Sequence, residues 1–108
     1  MAYVDKKEAL RYLSNPNDFN IYKNMFIKLY DKDLINKIKQ TYNDLQYKDL
    51  YDIINNINKI SLNIGSNILF ELSKELLESI DKENVDSNKI VELLETIDMV
   101  NIEIRNIK

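Results

Sequence analysis

The chain has 108 residues, enough for one domain, and folding at this size buries roughly two thirds of the surface that the unfolded chain exposes. Apolar residues make up 44% and charged residues 31%, as in ordinary water-soluble domains and unlike disordered chains. The longest apolar runs are about three residues, far below the roughly 20 that cross a bilayer. We therefore expect a single domain, residues 1–108, without a membrane span.

Cysteine and histidine are both absent, which excludes disulfides, thiolate chemistry and most transition-metal and hydrolase sites. The net charge of −3, with lysines scattered through every segment, disfavours a broad nucleic-acid surface. The first residues lack the charged-then-apolar order of a secretory signal. We expect a cytoplasmic monomer that takes no cofactor or metal and binds neither nucleic acid nor a membrane.

Helices are expected throughout, because one glycine and one proline leave few turn signals for hairpins. Asp5, with Glu8 three residues later, has the spacing of a capping box and predicts a first helix that ends at about Leu13. The segment 14–17 terminates that helix, and Asp18 is the predicted cap of the next one. A short N-terminal helix thus precedes the main helical part.

The second segment is long and amphipathic, since its apolar residues mostly fall three or four positions apart. It forms one helix or two; a break near Tyr30 and Asp31 stays open, because Asp31 is able to cap a fresh start. Its periodic positions are Tyr22, Met25, Phe26, Leu29, Leu34, Ile38, Tyr42 and Leu45.

Three further helices complete the prediction. The third runs from about Tyr47 to Asn63 with its apolar residues on one face, and Gly65 follows where a left-handed terminating residue is needed. A fourth helix carries the leucines at 69, 72 and 76, and a fifth begins after a polar stretch with Ser87 as its cap. Together these elements predict an all-α, up-and-down antiparallel four-helix bundle with a short additional N-terminal helix across one end.

A motif joins the third and fourth helices: Asn63-Ile64-Gly65-Ser66 is followed by Leu69, Leu72, Leu76 and Glu78. Over nearly its whole length the chain resembles histidine-phosphotransfer (Hpt) domains, the four-helix bundles that relay phosphoryl groups between receiver domains. The family's His-x-Leu-Lys-Gly signature, counted back from this motif, begins at residue 55. Ile57 agrees with the family's leucine. However, Asn55 stands at the phosphorylated histidine, Asn58 at the lysine and Lys59 at the glycine.

The replacement at residue 55 decides the chemistry. Phosphoryl relay needs a nucleophile with an available lone pair, which neutral imidazole supplies near pH 7. The amide nitrogen of Asn55 has its lone pair delocalised into the carbonyl, so it donates hydrogen bonds and does not attack phosphorus. We therefore predict that Asn55 is a pseudo-phosphosite and that the protein is not an enzyme.

The resemblance implies a partner-binding surface around residue 55, which we call the predicted docking face. Its residues are Lys48, Tyr51, Asn55, Asn58, Lys59 and Leu62. Lys59 is expected to reach toward the acidic pocket of a receiver, and Leu62 to add an apolar anchor. The competing interpretation is that Lys48 and Lys59 are simply solvated and that the first helix covers Leu62.

The resemblance favours a phosphorelay protein that lacks the phospho-accepting histidine, binds a response-regulator receiver domain or a histidine kinase, and modulates the relay. Two alternatives stay open. One is a helical adaptor or structural interaction module unrelated to phosphorelay. The other is an enzyme working through lysines and carboxylates, motivated only by the abundance of those residues.

Overall fold

A computed structural model describes residues 2–107 of the chain. The described part forms six α-helices and one 3-10 turn, and it contains no strand, which confirms the predicted all-helical class. None of these helices is both long enough and apolar enough to cross a membrane. The elements are α1 (Lys6–Ala9), α2 (Asp18–Asp31), α3 (Leu34–Asn43), α4 (Tyr47–Ser61), the 3-10 turn (Leu62–Ile64), α5 (Asn67–Asp81) and α6 (Ser87–Asn106).

The first helix is shorter than predicted and ends at Ala9 instead of Leu13. Asp5 is its cap, because its carboxylate accepts the N–H of Lys7 at 2.9 Å. The capping box with Glu8 does not form: the Asp5 N–H donates to the carbonyl of Gly65 at 2.9 Å. This backbone hydrogen bond ties the N-terminal segment to the turn before α5, and α1 packs on the 3-10 turn.

The other predicted boundaries lie within one or two residues of the observed ones. The second segment is two helices, and the break falls at 32–33, two residues after the predicted position. Asp18 and Ser87 are the first residues of α2 and α6, whereas the caps are one residue earlier. At α6 the carboxylate of Asp86 accepts the N–H of Asn88 at 2.8 Å, as N-cap residues do.

The core lies between the helices, and every helix contributes to it. Contacts between α2 and α4, α4 and α5, α5 and α6, and α6 and α2 close a ring, while α3 packs on α4. Fully buried side chains from all four helices of the ring fill the centre. The largest are Phe19, Phe26, Leu50, Ile54, Ile57, Leu69, Leu76, Leu93, Ile97 and Ile104.

Polar contacts fix the end of α2 against α6. The Tyr30 hydroxyl donates to Asp98 at 2.7 Å, and the Arg105 guanidinium pairs with Asp31 at 2.6 Å while lying over the Tyr30 ring. The hydrogen bond to Asp98 raises the pKa of Tyr30 above its usual value of 10.0, because the neutral phenol is the form that donates. These contacts fix the side of α2 that faces α6.

Non-glycine residues with the positive φ that is typical of glycine follow three of the helices, α2, α3 and α5, and two of these ends share one type of turn. Leu45 after α3 and Glu83 after α5 have φ of 56° and 51°. The next N–H in each case closes a Schellman motif, from Gln46 to Thr41 and from Asn84 to Ser79. Left-handed geometry costs an L-residue about 1–2 kcal/mol.

Leu45→Gly is therefore expected to stabilise the protein. The side chain at Leu45 is 67% exposed, so little packing is lost, and relief of the left-handed backbone outweighs the greater flexibility of the unfolded chain. We expect the free energy of unfolding to rise by about 0.5–1 kcal/mol in urea denaturation. Leu45→Ala, which keeps a Cβ at the same φ, is the control and should change it by less than about 0.5 kcal/mol.

Candidate partner-binding face

Residue 55 lies on the outer side of α4. The buried side of this helix consists of Leu50, Ile54, Ile57, Ile60 and Ser61. At 100° per residue Asn55 projects well away from that side, and the structure leaves it half-buried. Within residues 2–107 its amide makes no hydrogen bond to another residue, so its donors and acceptor are available to a partner.

The predicted docking face does not form one continuous outward surface. Lys48 and Lys59 are exposed on the same side of α4 as Asn55. Tyr51 is half-buried and lines a depression between the start of α4 and the end of α5, together with acidic residues of both helices. Leu62 is half-buried in the 3-10 turn, against which α1 packs.

Asn58 points toward α5 and not toward solvent. Its amide donates to the Phe70 carbonyl at 3.1 Å and to the Ser73 hydroxyl at 2.9 Å. The Ser73 hydroxyl in turn donates to the Leu69 carbonyl, so the network is satisfied inside the contact between α4 and α5. This side chain holds two helices in register and is not available to a partner in the observed structure.

Asn58→Ala is expected to lower stability without altering partner binding. Removing the amide leaves the buried Ser73 hydroxyl without its donor, and we expect a loss of about 1–2 kcal/mol in urea unfolding. Asn56→Ala, at an exposed position on the same helix, is the matched control and should cost less than about 0.5 kcal/mol. Equal losses for the two variants would show that the contact with α5 contributes nothing.

A groove between α2 and α4, which local sequence patterns do not predict, lies next to Asn55 along α4. Its volume is about 350 Å³. Met25, Leu29 and Ile60 provide its apolar surface, and Met25 is 44% exposed. Asn56 and three lysines also line the groove, and no carboxylate does. The lysines are Lys28, Lys32 and Lys59. We call this feature the α2/α4 groove.

The charge at the α2/α4 groove is positive although the chain as a whole is negative. In the described part of the chain the ion pairs link Arg11 with Glu8, Lys89 with Glu75 and Glu92, and Arg105 with Asp31. None of them involves a lysine of the groove. The nearest acidic residue on the outer side of α4 is Asp52, one turn before Asn55, and it faces the depression at the opposite end of the helix. The groove therefore suits an apolar partner surface edged with carboxylates.

The residues around Asn55 supply hydrogen-bond donors and positive charge. Amide and ammonium groups donate hydrogen bonds and attract anions, but none of the residues around Asn55 is a histidine or a cysteine. In residues 2–107 no group of three acidic side chains converges to hold a metal ion.

Comparisons with protein-family models, with curated proteins and with solved structures find no match to this chain. The resemblance to Hpt domains therefore stays a prediction that rests on the sequence motif around Gly65.

Proposed function

We propose that the protein is an Hpt-like phosphorelay module that binds a receiver domain or a histidine kinase and modulates the relay without carrying phosphate. The observation that carries the proposal is the position of Asn55: it stands on the outer side of α4, with free hydrogen-bonding groups, beside a lysine-lined apolar groove. The expected arrangement is an antiparallel four-helix bundle in which α2 and α3 together form one of the four columns.

Two structural features support that arrangement. The helix contacts close a ring of α2, α4, α5 and α6, and α3 packs on α4 and contacts α2. Gly65, at the centre of the Hpt-like motif, has φ of 76° and ends the 3-10 turn that connects α4 to α5. This position agrees with the helix-terminating role predicted for Gly65 from the sequence, and it supports the proposed arrangement.

The docking chemistry follows from charge. Receiver domains carry an acidic, cation-binding pocket, and Lys59 lies one turn from Asn55 on the exposed side of α4. An ammonium group there attracts carboxylates without any phosphate, and the apolar residues of the α2/α4 groove bury a side chain from the partner. Asn55 supplies N–H donors where a histidine would supply a nucleophile. Such a complex occupies a receiver and blocks its authentic carrier.

The test is direct binding to purified receiver domains and kinases of the organism's own relays, by calorimetry. We expect Met25→Glu and Lys59→Glu each to weaken binding on the order of 10-fold, because one places a charge on the apolar surface and the other reverses a rim charge. Lys74→Glu on α5 makes the same charge change at an exposed site away from the groove and should leave binding unchanged. Absence of binding to every receiver and kinase would contradict the proposal.

The alternative function is a helical adaptor unrelated to phosphorelay. One observation favours it: α6 exposes apolar side chains that the Hpt-like motif does not explain, with Val91 52% and Ile102 54% exposed. Pull-down from the native host distinguishes the two. A dominant partner that is neither a receiver nor a kinase, bound through α6, would favour the adaptor.

A further inference from the structure

The exposed side of α6 carries apolar residues within an acidic surface. Val91, Met99 and Ile102 are 52%, 38% and 54% exposed, and the exposed Glu95 lies between them on the same side of the helix. We call these four residues the α6 stripe. Glu92, which lines a depression between α5 and α6, and Asp98, which accepts the hydroxyl of Tyr30 on α2, flank it on opposite sides. The cations of α6 in the described part are Lys89 and Arg105, and both are engaged in ion pairs.

A complementary stripe lies along α2 at the edge of the α2/α4 groove. Its first half is apolar, with Ile21 57% and Met25 44% exposed, and its second half carries Lys28 and Lys32. These four residues form the α2 stripe. At 1.5 Å per residue the α2 stripe and the α6 stripe both extend about 16 Å, since each spans the same number of positions.

We propose that the α6 stripe of one molecule docks antiparallel on the α2 stripe and into the α2/α4 groove of a second copy of this chain. In this register Ile102 lies against Ile21, Met99 against Met25, and Glu95 beside Lys28. Val91 then lies against the aliphatic part of the Lys32 side chain, and Glu92 beside the stripe lies near the Lys32 ammonium group. The occupant is an amphipathic helix whose apolar residues and carboxylates meet the apolar residues and lysines of the groove in the same order.

The order of residues selects this orientation. A parallel helix would set Glu95 against the apolar Met25 and Ile102 against Lys32, so apolar and charged groups would be mismatched. A symmetric pairing of two α6 stripes would bring Glu92, Glu95 and Asp98 of both copies together, and like charges at an interface are repulsive. Of these three arrangements, the antiparallel pairing of α6 with α2 is the one that sets Ile102 and Met99 on apolar residues and Glu95 beside a lysine.

Two different surfaces meet in this contact, so it is heterologous. Each docked pair leaves one groove and one α6 stripe free, and assembly continues beyond the dimer. The monomer expected from the sequence is then the form present at low concentration. Because self-association fills the α2/α4 groove of every molecule in an assembly except one, it removes most of the surface on which the proposed function depends. Other partners then bind the monomer and the one open groove at the end of each assembly.

Sedimentation velocity on the full chain tests the contact. We expect the weight-average mass to rise with concentration between about 10 µM and 1 mM, and to fall again as salt is added. Lys28→Glu and Glu95→Lys should each weaken self-association on the order of 10-fold, because each turns an attractive pair into a repulsive one. Both positions are exposed, so folding is preserved; Lys74→Glu is the matched control and should associate like the unchanged chain.

Mixing the two variants gives the decisive result. In an equimolar mixture the groove of either variant faces an α6 stripe of opposite charge, so association is expected to return. Absence of association up to about 1 mM would overturn the proposal, as would a closed dimer insensitive to Lys28→Glu or a mixture that stays monomeric. Glu95→Lys leaves the groove intact, so receiver binding by this variant shows whether the proposed function stands when self-association fails.

Discussion

Gly65→Ala is expected to lower the free energy of unfolding by about 3 kcal/mol, among the largest effects of a single methyl group in this protein. The residue has φ of 76°, and a Cβ built on it lies 1.8 Å from the carbonyl oxygen of Asp5. That oxygen accepts the N–H of Ala9, and the Asp5 N–H donates to Gly65. A side chain therefore displaces the N-terminal segment as well as straining the turn. Urea denaturation followed by circular dichroism measures the loss.

Comparison with the turn after α3 separates the cost of backbone strain from the cost of the clash with Asp5. Leu45 has φ of 56° but is 67% exposed, so a Cβ is tolerated there at the cost of backbone strain alone. If strain were the whole effect at Gly65, alanine would cost only about 1 kcal/mol. A loss that small would mean that the segment around Asp5 is not packed on the turn in solution.

Asn55→His is expected to convert the protein into a phosphoryl acceptor. Neutral imidazole at this outward position has the lone pair that the amide lacks, and it is available near neutral pH. Incubation with a phosphorylated cognate receiver should raise acid-labile, base-stable label at least about 10-fold above background. Labelling should increase as the pH rises through about 6.5, because the neutral ring is the reactive form. Since the natural chain has no histidine, any phosphohistidine is at residue 55.

The neighbouring residue is the control for this substitution. Asn56 is exposed on the same helix but lies on the side that lines the α2/α4 groove. Asn56→His changes the composition identically and should acquire no label. Equal labelling of the two variants, or none of Asn55→His, would contradict the assignment of residue 55 as the pseudo-phosphosite.

The sequence predicts the helices well and their ends less well. Apolar spacing identifies each long helix, and Gly65 marks its turn because only one glycine is available. The ends at Asp33, Leu45 and Glu83 carry no glycine signal although all three have positive φ. At Leu45 and Glu83 the N–H of the following residue closes a Schellman motif, and a search for glycine in the sequence does not detect such an end.

The outward position of Asn55 follows from the sequence because the apolar face of α4 fixes the opposite side of that helix. Asn58 lies between the two sides, and only the presence of Phe70 and Ser73 on α5 decides that it is an internal hydrogen-bond donor. The α2/α4 groove depends on two helices that are distant in sequence. The spacing predicts that Met25 belongs to the periodic apolar face of α2, and spacing alone does not show that the neighbouring helix leaves it exposed.

The proposed function is tested most directly by a relay assay with three components. A phosphorylated receiver transfers its phosphoryl group to an authentic Hpt carrier while this protein is added in increasing amounts, and label is followed on every chain. The expected result is slower transfer in proportion to the added protein, with no label on it, because Asn55 docks without accepting phosphate. An unchanged rate at saturating protein, or covalent phosphate on this chain, would contradict the account.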